Sequence, residues 1–260
     1  RAVATRPATL GVLASPLAPG VCGRIDRANR LDVTLTFGSF ASVPEADLLA
    51  GSNRLAVRAA NGVFEIISFT DAEEVAAGRW RLSHLLRGQF GTTDATTAGA
   101  EAGADVVVLN DAVISLGLDQ SEAGMSLNWR AEAGVTSVGP FAFSGGRRAA
   151  TPLAPVHLAA TCQSSGDIRL SWTRCGRADG DNWEAYDIPL DEPEERYLVE
   201  ILDASGNLLR SMEVGASAFT YPASEVLTDF GALPATLRYR VRQIGWTVAS
   251  GLPAEVTVPL

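Results

Sequence analysis

Leu237–Ile244 reads Leu-Arg-Tyr-Arg-Val-Arg-Gln-Ile, apolar and polar in alternation. Period two sends successive side chains to opposite faces of an extended strand, so Leu237, Tyr239 and Val241 face a core while Arg238, Arg240 and Arg242 face water. Working backwards and then forwards from it, Val156–Thr161, Ile168–Thr173, Tyr197–Asp203, Leu208–Glu213 and Glu255–Val258 are further short alternating strands at roughly regular spacing. Ser205–Gly206–Asn207 supplies a hairpin turn between two of them. Short alternating runs separated by turn residues define a β-sandwich.

The first half is also β in pattern. Leu31–Phe37 (LDVTLTF) alternates, Asn53–Arg58 and Gly62–Phe69 follow it, and Gly78–Leu86 and Asp105–Leu109 are further strands. Ala112–Leu118 and Met125–Ala131 complete the set. The Asn61–Gly62 pair predicts a type I′ hairpin turn with positive φ at both central residues. Pro44–Ala50 and Asp71–Ala77 are short helix candidates, each stopped by a glycine. Thr92–Ala104 is expected to be a loop with one helical turn. Around Ser144–Pro155 (SGGRRAATPLAP) the composition changes to that of a linker in which two prolines disfavour helix. The expected division is therefore residues 1–150 and 151–260, both all-β.

Composition narrows the function. The chain has 260 residues, 47% hydrophobic and 20% charged, enough for one large or two ordinary globular domains. No apolar run reaches the ~18 residues of a membrane span. Net charge is −9, and residues 151–260 carry 8 Arg against 15 acids, so nucleic-acid binding is disfavoured. Every basic residue is Arg; the absence of Lys removes Lys-based catalysis and a phosphate-binding loop that ends in Gly-Lys. Cys22, Cys162 and Cys175 are widely spaced and odd in number, which reads as three reduced, mostly buried thiols, with a Cys162–Cys175 bridge left open. The opening at Arg1 fits a fragment or a processed product.

Neither histidine offers chemistry. His84 lies in a strand-like apolar setting and His157 at the start of the second block, with no partners at metal-ligand spacing and no nucleophile elbow. Catalysis, metal and cofactor are all expected to be absent. The acidic run Asp191–Glu195 reads as a solvated loop rather than a glycosidase pair. The connection at about 174–196 is longer than ordinary loops and crowded with Arg, acids, Trp and Tyr, as functional loops are. Within it Arg177, Asp179, Asp181, Asn182, Trp183 and Tyr186 are candidates for glycan or subunit contact. The bland reading has Trp183 and Tyr186 folding back over a sheet with the acids in water. A calcium loop fails because no glycine stands sixth from Asp179.

Two resemblances follow from particular residues. Leu170–Trp172, Tyr197–Val199, Tyr239–Val241 and Gly251–Pro253 fall in the order of a fibronectin type III domain, with 174–196 as an inserted loop. Asp26–Leu35, Phe64–Gly91 and Trp172–Tyr197 resemble the C-terminal part of phage and gene-transfer-agent tail baseplate hub proteins, the "megatron" or host-specificity family. Leu85-Leu86-Arg87-Gly88-Gln89-Phe90-Gly91-Thr92 is similar to that family's LLRG-x-x-GT signature. The resemblance implies a β-rich tail-hub domain before the sandwich, in a virion component at the tail tip assembled in the bacterial cytoplasm. It also implies homotrimeric packing, neighbouring baseplate proteins as partners, and contact with the host envelope. The rival expectation is a carbohydrate-binding module. In the signature, two leucines are expected to enter a core and Arg87, Gly88 and Gly91 to turn the chain at an exposed corner. Arg87 is expected to hold a carboxylate or carbonyl of its own domain.

Overall fold

The structure, a computed structural model, describes residues 1–177, 187 and 189–260. The chain forms two compact units, Arg1–Asp119 and Gln120–Leu260. The boundary falls ahead of the linker expected near 150.

The first unit contains β1 (Leu10–Leu13), β2 (Leu31–Leu35), α1 (Glu45–Leu49), β3 (Arg54–Arg58), β4 (Phe64–Ala76), β5 (Arg79–Gln89), α2 (Thr93–Ala98) and β6 (Asp105–Val108). Its strands close in the order β1-β2-β5-β4-β3-β6, with every neighbouring pair antiparallel. Closure leaves no unpaired sheet edge. Alternate residues point inward. Leu13, Leu31, Val33, Leu55, Val57, Ile67, Phe69, Leu82, Leu85 and Val106 thus form one buried core. Phe40 meets Phe69 and Trp80 edge-on, at ring separations of 5.2 and 5.8 Å.

Three local expectations fail here. Asp71–Ala77 is not a helix but the outer half of β4, laddered to β5 from Asp71↔Ser83 to Ala76↔Arg79. Glu74 Oε1 accepts the Gly78 N–H and closes that hairpin. A seven-residue helix makes few internal bonds, and the cross-strand ladder outweighs its propensity. At Asn61–Gly62 only Gly62 has positive φ (+81°). The Gly62 N–H bonds Ala59 O, the Ala59 N–H bonds Val63 O, and Asn61 Oδ1 accepts from the Val63 N–H. That is a longer loop with glycine at the left-handed position, not a type I′ turn. Ala112–Leu118 forms no strand, since a closed barrel offers no edge to pair with. β1 itself went unforeseen because Leu10-Gly-Val-Leu13 is too short to show a period.

After a 3-10 turn at Gln120–Glu122 the second unit has β7 (Ser126–Ala133) and β8 (Thr136–Ser144), a hairpin that joins no other sheet among the described residues, and α3 (Arg147–Ala150). The single turn of α3 occupies the expected helix-free linker; Pro152 comes after it and stops it instead of preventing it. Then come β9 (Val156–Cys162), β10 (Ile168–Thr173), β11 (Tyr197–Leu202), β12 (Leu208–Val214), β13 (Ala218–Tyr221), α4 (Ala223–Phe230), β14 (Thr236–Gln243) and β15 (Ala254–Pro259). They make a three-stranded sheet, β13-β10-β9, and a four-stranded one, β12-β11-β14-β15, all antiparallel. This 3+4 order is that of a fibronectin type III-like sandwich, and the chain as a whole is all-β. Ile168, Leu170, Trp172, Tyr197, Val199, Ile201, Leu237, Tyr239 and Val241 fill the space between the sheets. Trp172 and Tyr197 meet edge-on at 5.2 Å, and the Tyr239 hydroxyl donates to Ala159 O at 2.9 Å, tying one sheet to the other.

All three cysteines are free, Cys22 exposed and the other two half-buried. Burial pushes the Cys175 thiol up, away from the reactive thiolate. Among the described residues no helix is long and apolar enough to cross a membrane, and no cluster of three or more metal-ligating side chains occurs.

Candidate functional site

Three features rise above the packing. The first is the centre of the LLRG stretch. The alternation of β5 sends Leu85 into the barrel, and Leu86 lies on the opposite face, half-buried. Only one of the two leucines therefore enters the core. Arg87, on the same face as Leu85, is not at an exposed corner, because its side chain is fully buried. Its guanidinium grips Glu65 two-handed, Nε to Oε1 at 2.6 Å and Nη2 to Oε2 at 2.8 Å, and Nη1 donates to Ala18 O at 3.3 Å.

Glu65 also accepts the Gly88 N–H at 3.1 Å and the Thr96 hydroxyl at 2.8 Å. Asp26 Oδ2 stands 3.7 Å from Arg87 Nη1. Burial raises the Asp26 carboxyl, but hydrogen bonds from the Asn29 side chain and the Asn29 and Ala28 N–H groups, with the Arg87 charge, outweigh it. The net result lies below the usual carboxylate range. A buried ion pair is more tolerable when further hydrogen bonds serve its members, and here the Gly88 N–H, the Thr96 hydroxyl and Ala18 O do so. Gly88 must be glycine twice over: its φ is +63°, and a Cβ would stand 2.7 Å from Cys22 Sγ. Gly91 has φ +72° and follows Phe90 at +53°, so the turn expected of the motif lies there.

Glu65 escaped the sequence reading. The signal was present in Phe64-Glu-Ile-Ile-Ser-Phe69, where Glu65 shares the inward parity of Ile67 and Phe69. A carboxylate on a core face requires a buried cation, and Arg87 is it.

The second feature is the pair of feet under the 174–196 connection. Arg174 bonds Asp187 at 3.0 Å and lies 3.8 Å from Glu195. Arg177 bonds Glu192 at 2.8 Å, donates to Asp191 O at 3.1 Å, and bonds Ala150 O. The Asp191 side chain accepts the Arg177 N–H. The Tyr197 hydroxyl donates to Glu195 at 2.8 Å; burial, then the Glu195 bond and charge, hold that phenol far above its usual range. Arg177 is thus spent on fixing the loop's base and does not face outward. Asp179, Asp181, Asn182, Trp183 and Tyr186 lie outside the described residues. Part of the run Asp191–Glu195 is not simply solvated, since Glu192 is buried, with Oε1 in an ion pair with Arg177 and Oε2 accepting the Trp246 N–H.

The third feature is the β7–β8 hairpin. Leu127↔Phe143 and Trp129↔Phe141 are cross-strand pairs, so these four side chains share one face. Phe141 and Phe143 are more than half exposed. His84 and His157 are not among the residues of these features; the His84 ring is hydrogen-bonded to the Asp71 carboxylate on the outer β4–β5 hairpin.

The fold and these sites define a two-unit β protein with a stapled barrel and a sandwich that presents a clamped loop. The model of the Rcc01698-like, C-terminal family matches residues 8–107, which contain the barrel's strands almost entire and the LLRG centre. The family name refers to a protein associated with the gene transfer agent of Rhodobacter capsulatus, so the first unit is similar to a gene-transfer-agent-related protein. No curated protein matches the sequence.

Solved structures similar to it include domains d3–d4 of the rat CD45 extracellular region, at 15% identity and TM-score 0.29 over 58% of this chain and 72% of that one. The FN1–FN3 domains of chicken CNTN1 are similar at 12% identity and TM-score 0.29 over 95% and 66%. At such scores these two carry no argument, and the fibronectin-like description rests on the strand order.

Proposed function

We propose that the chain is a structural component of a phage-like, gene-transfer-agent tail baseplate, at the tail tip. On this reading it acts by subunit packing and host-envelope contact, and catalyses nothing. It is assembled in the bacterial cytoplasm, and its partners are further copies of itself, three in all, and other baseplate proteins. The observation that carries the reading is the apolar face of β7–β8. A two-stranded ribbon is marginal in water unless its apolar face is covered. Leu127, Trp129, Phe141 and Phe143 are what a protein partner covers. The similarity of residues 8–107 to a gene-transfer-agent-associated family supports the same setting.

Light scattering on the full chain tests it. A trimer that falls to monomer in Phe141→Ser/Phe143→Ser, with melting unchanged, is the expected result. A wild-type chain that stays monomeric at high concentration and binds no other baseplate protein overturns it.

A second reading, a carbohydrate-binding module, is favoured by the clamped feet of the 174–196 loop. Two arginines and four carboxylates hold that loop's base, as a recognition loop requires for low entropic cost on binding. Saturable binding of a host-surface glycan by the monomer would establish it in place of the first.

A further inference from the structure

We propose that Trp246, on the β14–β15 loop, is a stacking platform for an uncharged saccharide, which gives the second reading a contact residue and a ligand class and rests on that reading. Trp80 and Trp172 are 8% and 5% exposed, as tryptophans in a core are; Trp246 is 83% exposed. An indole held in water is a large, rigid apolar surface with a polar N–H edge, suited to contact.

The backbone beneath it is fixed. The Trp246 N–H donates to Glu192 Oε2 at 2.8 Å, and the opposite oxygen of Glu192 holds Arg177. The Ile244 N–H bonds Arg196 O at 2.8 Å, and the Gly251 and Leu252 N–H groups bond Gln243 O and Pro152 O at 3.0 and 2.9 Å. A Cβ at Gly245 would lie 2.6 Å from Val248 O and 2.7 Å from Pro152 Cγ, so chain and proline are in close contact there. The indole therefore starts from a preorganised base, bolted to the foot of the 174–196 loop.

Its surroundings choose the ligand. Tyr197↔Gln243 puts the start of β11 and the end of β14 at one end of the sandwich, where Trp246 follows. Exposed Leu208 and Leu233 belong to the other end, because Leu208 pairs with Leu202, which pairs with Arg238, and Leu233 precedes β14. A single indole is by itself too small for the core of a protein interface. It suffices for the C–H face of one sugar ring, whose hydroxyls the exposed Thr247 and Ser250 can bond.

The excess of acids in residues 151–260, 15 against 8 Arg, disfavours anionic polysaccharide. A methylammonium headgroup needs a cage of several aromatics. No second aromatic of the β14–β15 loop supplies one, since Trp246 is the sole aromatic between Ile244 and Leu252.

The test uses the full chain on a glycan array holding neutral and anionic bacterial-surface saccharides, with the strongest neutral hit titrated in solution. We expect a neutral hit, at least tenfold weaker in Trp246→Ala and partly kept in Trp246→Phe, with melting unchanged in both. A neutral hit that Trp246→Ala binds as well as wild type sinks this assignment and leaves the glycan reading standing. No hit, or only anionic hits, overturns the assignment; no hit at all overturns the glycan reading with it.

Discussion

The two units use arginine in opposite ways. In the barrel, Arg87 and Glu65 are buried to 0% and 1% side-chain exposure, and their pairing fixes an interior. In the sandwich the arginines stay at the rim: Arg174 and Arg177 hold loop feet, while Arg238, Arg240 and Arg242 ladder with Glu200 and Glu255 on an outer sheet face. The residue type is the same, but the dielectric differs. A charge sealed from water must keep its partner at almost any cost, whereas a rim charge loses little when its partner goes. The difference teaches where to look for function. The buried arginine of the recognisable motif fixes the barrel's interior, while the exposed β7–β8 phenylalanines and Trp246 lie in the less recognisable unit.

The comparison breaks first at Glu65. Glu65→Ala takes the two-handed partner from the buried Arg87 guanidinium and leaves it only the Asp26 carboxylate at 3.7 Å, and we expect a loss of about 3–5 kcal/mol in the barrel's unfolding free energy, read from denaturant titration. Replacing both residues, Arg87→Met with Glu65→Leu, should restore most of that stability. A single-variant loss under about 1 kcal/mol would put the barrel staple in the same class as the rim pairs.

Arg177→Ala comes next. It strips Glu192, itself buried, of its cation, and roughly 1–3 kcal/mol of sandwich stability should go, less than at Glu65 because the site is partly wet. Limited proteolysis should show faster cutting within 174–196 than in wild type. Equal cutting would mean that the feet do not hold the loop.

Asp26 sharpens the contrast through pH. Its carboxyl is lowered in the folded barrel, so the stability it adds is fully present above the unfolded carboxylate pKa of about 3.9 and disappears as pH falls through the lower folded value. Asp26→Asn should therefore flatten the barrel's melting temperature against pH below about 4 and lower it at neutral pH. An acid limb of unchanged steepness would remove Asp26 as its source. The smallest effect belongs to the rim. Glu255→Gln, in the outer ladder with Arg238 and Arg240, should cost no more than about 1 kcal/mol and less in high salt.

Much of this architecture was legible in the sequence, because burial on one face of a strand writes itself as period two. Leu237–Ile244, Ile168–Thr173, Tyr197–Asp203 and Leu31–Phe37 announced their strands within a residue or two, and with them two all-β domains and the sandwich order. What failed depended on pairing partners that the segment itself does not show. Asp71–Ala77 has the composition of a helix and is a strand because β5 lies beside it. Ala112–Leu118 has the composition of a strand and is none for want of an edge. The short α4 and β13, both unforeseen, are held by burial of Val226 and Tyr221 in a core their own residues do not predict.

The site divides in the same way. The sequence singled out Arg87, Gly88 and Gly91 as special positions and 174–196 as an unusually long and charged connection. Only the tertiary structure decided that Arg87 points inward to Glu65, that Arg177 faces the loop's own base, and that Trp246, alone among the described tryptophans, stands almost fully in water. Alternation along one strand fixes which side chains share a face. Whether that face meets a core, a counter-charge or solvent is fixed by strands and loops far away in the chain.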